Sequence, residues 1–324
     1  MSEQFQTPGQ IVAAYESGLP GWRFDPDTMD ALMADRKALL FAEAAPHLAG
    51  VGKGKMALLW RSREKYDPGA FGQESQTTGD CVSHGSRNAR EVTRSVEIHI
   101  KREPEEFYKR TATEPTYGAR GHGGQGHGGQ GMDPAQATRF ESDFGFLFRQ
   151  KYPFVDLSEY DSRIGSRWGS RGVPEAVRQE CRKHNVGQWI APLAAEEVKD
   201  LLYSGYALHS GQNFGVRSAS DSRGIAVPGG SWSHDMATVG YDDTREVYPV
   251  CVFLVANSWG RWNQPPKVWP EDRYGPWPEG SFWVAEDVYA RYFVGSRSIF
   301  AYCDIKGVPQ KKLPDYGNLE DILG

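Results

Sequence analysis

The sequence is poor in cysteine. It has four in 324 residues, Cys81, Cys181, Cys251 and Cys303, with no two close together and no CxxC pair. That gives no disulfide framework and suits a reducing compartment such as the cytoplasm. A Cys251–Cys303 bridge would require two neighbouring strands. Long apolar runs are also missing, so no segment reads as a bilayer span. The first residues, MSEQFQTPGQIVAAYESG, lack a basic region followed by an apolar core, and no secretory signal is expected. An excess of positive charge is missing too. Lys and Arg number 37 against 42 Asp and Glu, a net charge of −5, which argues against a general nucleic-acid-binding surface. Core material is not scarce: 39% of residues are hydrophobic, with ten Trp, 15 Tyr and 15 Phe. The chain can therefore bury a large core as one domain or two lobes.

Residues 1–70 read as an N-terminal extension, either a packing arm or a pro-segment, and a possible contact for a protein partner. Asp25-Pro26-Asp27 can start a helix whose apolar face is Met29, Leu32, Met33 and Leu40, ended by a Gly/Lys loop over 50–55. A second helix pattern opens at Cys81. A charged loop follows at 101–106, and then a tandem Gly-His-Gly-Gly-Gln repeat over 121–130. Glycine at this density lets another chain approach closely. His122 and His127 have no evident third ligand, so no metal is expected. Helices are expected over 134–148, 174–184 and 195–203. Strands rich in aromatic and β-branched residues follow at 206–210, 236–241, 248–256, 281–285 and 298–305. Helices first and strands second make an α+β layout. The expected division is 1–70, a helical lobe at 71–190, a β-rich lobe at 191–310 and a tail at 311–324.

Chemistry concentrates in three places. Cys81 follows Gln76-Thr77-Thr78-Gly79-Asp80 and opens a helix, where unpaired N–H groups and the helix dipole favour the thiolate. His234 stands near the start of one strand and Asn257 at the end of another. A cysteine nucleophile needs a base, and the base needs an orienting group. His84, one helical turn after Cys81, is a rival base. Cys181, Cys251 and Cys303 read as packing thiols.

These residues resemble the motifs of the papain-like cysteine peptidases, of which the chain would be a divergent member. Gln76 with Gly79-Asp80-Cys81 is similar to that family's Gln…Gly-Ser-Cys, and His234 to Val239-Gly240-Tyr241 to its histidine strand. Asn257-Ser258-Trp259-Gly260 matches its Asn-Ser-Trp-Gly. Gly128-Gly129, Tyr152-Pro153-Phe154 and Gly280 to Val284 resemble further motifs in the same order. The likeness implies a helical left lobe and an antiparallel β-barrel-like right lobe, with the active site between them. It implies peptide-bond hydrolysis through an acyl-enzyme, a polypeptide substrate and no cofactor. Cys81 would be the nucleophile, His234 the acid and base, Asn257 its orienting group and Gln76 an oxyanion donor. Gly128, Gly129, Trp259 and Asp235 would lie along the substrate site, Asp235 facing a substrate side chain. The chain departs from the family in a shorter Gln-to-Cys turn, in Val82 after the nucleophile, and in an insertion near 265–278 beside the site. Two other readings stay open: a non-catalytic papain-fold binding or structural protein, and a thiol amidase or isopeptidase.

Overall fold

The computed structural model describes residues 5–100, 109–121, 129–184 and 186–303. The charged loop at 101–106, the repeat histidines with Gly128, and the tail lie outside the described residues.

An eight-stranded sheet forms the strand-rich lobe. Its order is Ala38–Leu40, Gln188–Ala191, Ile299–Cys303, Leu208–Asn213, Ser233–Asp242, Val252–Ala256, Ser281–Ala285, and Met56–Ala57 also joins Ser233–Asp242. All pairings are antiparallel except Ala38–Leu40 with Gln188–Ala191. Residues 1–70 thus supply two short strands to this sheet. The central strand, Ser233–Asp242, is buried along almost its whole length, because elements cover both faces.

The other lobe is built on the helix Cys81–His99, which packs against Ser233–Asp242 and Leu208–Asn213. Nearly every residue of this helix is buried, including its charged ones. Those charges meet partners: Arg90 reaches Glu141 at 2.7 Å, Glu91 meets Arg63 at 2.5 Å, and Arg87 pairs with Glu74. A buried charge left alone would be costly, so each arginine on the helix fixes a neighbouring element. Gly85 allows the close approach of helix and sheet. A methyl there would sit 1.8 Å from a carboxylate oxygen of Asp235.

Several elements differ from the sequence-based expectation, with identifiable causes. The helix starting at Pro134 stops at Phe144 because Gly145 takes a φ of 83°. The helix starting at Pro26 stops at Ala34, and Leu40 stands in a strand instead. The helix Ser162–Arg171 has no apolar period to read, since its buried face consists of Ser162, Gly165, Trp168 and Gly169. The helix Pro8–Glu16 carries a legible start signal. Thr7 and Gln10 form a reciprocal capping box, with Pro8 in the first turn. No helix among the described residues is long and apolar enough to cross a membrane.

Candidate active site

Cys81 is the first residue of its helix, where the backbone N–H groups have no intrahelical partner. The thiol is fully buried. Burial pushes its pKa far up, and the Asp235 carboxylate adds to this. Hydrogen bonds from the Tyr15 hydroxyl and from the Asp235 N–H, 3.3 Å from Sγ, pull the other way and lose. The helix N-terminus favours a thiolate, but this enclosed sulfur is a neutral thiol.

His234 stands on the central strand, and its Nε2 lies 2.7 Å from Oδ1 of Asn257. Asn257 follows the strand Val252–Ala256, and its Oδ1 also accepts from the Ser258 N–H at 2.6 Å. Oδ1 can only accept, so Nε2 carries the proton and Nδ1 has the free lone pair. Trp259 stacks on the imidazole, with centroids 4.6 Å apart and a 29° tilt. Burial drives the His234 pKa down to about 3, against the smaller upward pull of Asn257. The ring is therefore neutral, and among the described residues its Nδ1 has no hydrogen-bond partner.

Gln76 is locked to the loop after Asn257. Its N–H donates to the Ser258 carbonyl at 2.9 Å, and the Ser258 hydroxyl donates to its side-chain oxygen. This leaves the Gln76 amide nitrogen to donate to the Thr78 carbonyl at 2.8 Å and to the Tyr15 hydroxyl at 3.0 Å. Tyr15 comes from the leader helix Pro8–Glu16. Its ring meets His234 edge-on at 4.6 Å and lies 5.1 Å from Trp259. One phenol thus touches the sulfur, the imidazole and the Gln76 amide.

The leader then crosses the cleft. Gly21 N–H and Trp22 N–H donate to the Ser233 carbonyl at 2.9 and 2.8 Å. On the opposite lobe Met132 N–H donates to Gly21 O at 3.0 Å, and Arg23 N–H to Met132 O at 3.1 Å. Only glycine fits at 21, since a Cβ there would sit 2.6 Å from the Cys81 sulfur.

The remaining expected residues are placed as follows. Asp235 does not face a substrate pocket. Strand alternation turns it away from His234, to the face packed on the nucleophile helix, where it pairs with Nδ1 of His209 at 3.1 Å. It is fully buried, and burial lifts its pKa to about 6. Gly129 lies against the leader's Arg23. Trp259 is wholly buried and reaches no groove surface. His84 lies instead 3.4 Å from Asp80 Oδ2 and 3.5 Å from Glu74 Oε1. Tyr160 packs edge-on against its ring, donating to Asp80 Oδ2 at 2.6 Å and accepting from Thr77 N–H at 3.1 Å. In the insertion, Trp269 packs on Tyr274 and Trp283, anchoring it to the strand Ser281–Ala285. All four cysteines are free. The carboxylates of Asp243 and Glu286 beside Cys251 already hold Lys199 and Arg245. Sequence reasoning missed Tyr15 and Trp22. The capping box at Thr7 could have revealed the helix, though not where its tyrosine points.

No protein-family profile matches the chain, and no curated protein matches it in sequence. Solved structures do match. Xylellain, a cysteine protease from Xylella fastidiosa, superposes with a TM-score of 0.54 at 16% identity, over 89% of this chain and 97% of that one. This chain has a papain-like fold. A digestive procathepsin L 3 of Tenebrio molitor is also similar, with a TM-score of 0.46 at 14% identity over 91% of this chain and 86% of that one. In the papain-like fold of this chain Cys81 opens the helix packed against Ser233–Asp242, the strand that carries His234.

Proposed function

We propose that the chain is a cysteine-type peptidase held latent by its own leader. The observation that carries this reading is the convergence on one phenol, Tyr15, of Cys81, the His234–Asn257 pair and the Gln76 amide. With Tyr15 withdrawn, the Cys81 S–H gives its proton to His234 Nδ1, making a thiolate–imidazolium pair. The thiolate attacks a peptide carbonyl. The Gln76 amide, which now donates to the Tyr15 hydroxyl, donates to the oxyanion instead. The imidazolium protonates the departing amine, and water, deprotonated by the same ring, releases the acid from the thioester. Asn257 keeps the ring orientation through these steps. The leader, residues 8–25, acts as the pro-segment rather than as a simple packing arm. Water exclusion accounts for the neutral thiol and imidazole of the closed state. The polypeptide substrate would lie where residues 20–23 now cross.

The test uses the full chain carrying Tyr15→Ala. It is expected to hydrolyse peptides and to be alkylated at Cys81 by a peptidyl chloromethyl ketone, and Cys81→Ala abolishes both. A second reading, a papain-fold protein with no turnover, draws on the complete enclosure of the sulfur. It is the answer if Tyr15→Ala exposes a thiol that alkylates only at the rate of a free cysteine. Peptide, isopeptide and other amide substrates offered together identify the acyl bond cleaved.

A further inference from the structure

Residues 20–23 do more than cover the sulfur. Trp22 puts its indole into a slot between the lobes, and its Nε1 donates to Asp133 Oδ2 and to Ser298 Oγ, both at 3.2 Å. Asp133 and Ser298 are fully buried, and the Ser298 hydroxyl donates to Asp133 at 3.1 Å. The five-membered ring lies flat on Gly211, where a Cβ would come within 2.1 Å of Cδ1. This is a planar slot with a wall of bare backbone and an acidic floor, one residue along from the glycine that touches Cys81. A leader that occupies a groove must fill its pockets with side chains those pockets accept.

Asp133 also has a structural duty, since Oδ1 caps the helix Pro134–Phe144 through the Ala135 N–H at 2.8 Å. Oδ2 is spare for this purpose. Among the described residues it takes only Trp22, the Ser298 hydroxyl and the leader's Asp25 N–H at 3.1 Å. When the leader leaves, two of those three donors leave with it. An oxygen left buried without donors is costly, so the emptied slot favours a side chain that brings one.

Resting on the peptidase reading above, we propose that this slot selects a tryptophan side chain in the substrate, with Asp133 as its specificity-determining residue. The pocket role that the sequence suggested for Asp235 falls to Asp133. Burial raises the Asp133 pKa to about 7, so the floor matches a neutral N–H donor and does not call for a cation.

The experiment empties the slot in the full chain with Trp22→Ala. Calorimetry then compares indole with benzothiophene, which has the same shape without the N–H. Indole should bind about tenfold tighter, as expected for a hydrogen bond to a carboxylate. Ser298→Ala and Asp133→Asn should each narrow that gap, and Gly211→Ala should exclude both probes. Asp133→Asn could fail to fold through its cap, but Ser298→Ala and Gly211→Ala leave the cap intact. Equal affinity for the two probes, or binding of neither, overturns the proposal. A peptide library offered to the Tyr15→Ala/Trp22→Ala chain, whose cleft is opened as above, should show about tenfold preference for Trp over Phe, Leu and Arg at one position, lost when Gly211→Ala is added. Turnover without that preference makes the slot a leader anchor only and overturns it as well. Absence of any turnover or thiol labelling counts against the peptidase reading, while the two probes still judge the slot.

Discussion

Two histidines flank Cys81, and both are fully buried. His234 meets one neutral acceptor, Asn257, at Nε2, and among the described residues its Nδ1 has no hydrogen-bond partner. His84 sits among Asp80, Glu74, Arg87 and Tyr160. A base must have a free lone pair aimed at the proton it takes. Asn257 guarantees that lone pair for His234 by fixing which nitrogen is protonated. His84 has a carboxylate near each ring nitrogen, at 3.4 and 3.5 Å, and Tyr160 against its ring, in the scaffold beneath the loop at 76–80. Placement within the fold, and not distance along the sequence, separates a candidate catalytic imidazole from a structural one.

The direct way to break this comparison is to remove each ring in the Tyr15→Ala background. His234→Gln should lower kcat/KM for a peptide by about 10⁴-fold, the scale of losing a triad member. His84→Gln should leave the rate within about tenfold and lower thermal stability instead, because it removes a fully buried ring packed against Tyr160. Steady-state kinetics with thermal melts of both variants decide it, and a larger rate loss for His84→Gln would exchange their roles. Gln76→Ala tests the next feature. It should cost about 10²- to 10³-fold in kcat with little change in KM. A smaller effect comes from Tyr15→Phe in the otherwise unaltered chain. It keeps the ring against His234 and Trp259 but removes the hydroxyl from Gln76 and Cys81. Loss of these two buried hydrogen bonds should raise Cys81 alkylation about tenfold or more, measured as the second-order rate with iodoacetamide.

How much of this was legible in the sequence follows from what kind of signal each part leaves. The α+β layout was readable, since the strands at 236–241 and 281–285 and the helix at 195–203 alternate or recur with the expected period and nearly match the observed Ser233–Asp242, Ser281–Ala285 and Ala195–Tyr203. The helix Ser162–Arg171 was not readable, because glycines in place of large apolar residues make its packing face. Cys81, His234, Asn257 and Gln76 stood out through motif context, and the fold brings them to one seam. Asp235 was misplaced because adjacency to His234 in sequence means the opposite face in a strand. Tyr15, Trp22 and Asp133 left no local signal. Their roles arise from a crossing of chain segments 61 or more residues apart, and the cap that Asp133 provides looks like any helix start.

The smallest expected effect sharpens the comparison from the side of His234 alone. Its folded pKa, about 3, lies below the ordinary imidazole value of 6.5. Above pH 6.5 the ring is neutral whether the chain is folded or not, and it contributes nothing to the pH dependence. Below 6.5 the unfolded chain takes the proton first, so stability falls as pH falls, and the loss levels off only below about 3. His234→Gln removes this contribution and leaves every carboxylate in place. The stability difference between the two chains should therefore change by about 1 kcal/mol per pH unit below 6.5, reaching on the order of 4 kcal/mol in favour of the variant near pH 3. Chemical denaturation at a series of pH values measures it. The slope also reports on the leader, because a strap that lifts in acid returns water to the imidazole and restores an ordinary pKa. A full slope means that Tyr15 and residues 20–23 stay seated down to pH 4. A flat difference means that acid alone opens the cleft, and Cys81 alkylation should then accelerate over the same pH range.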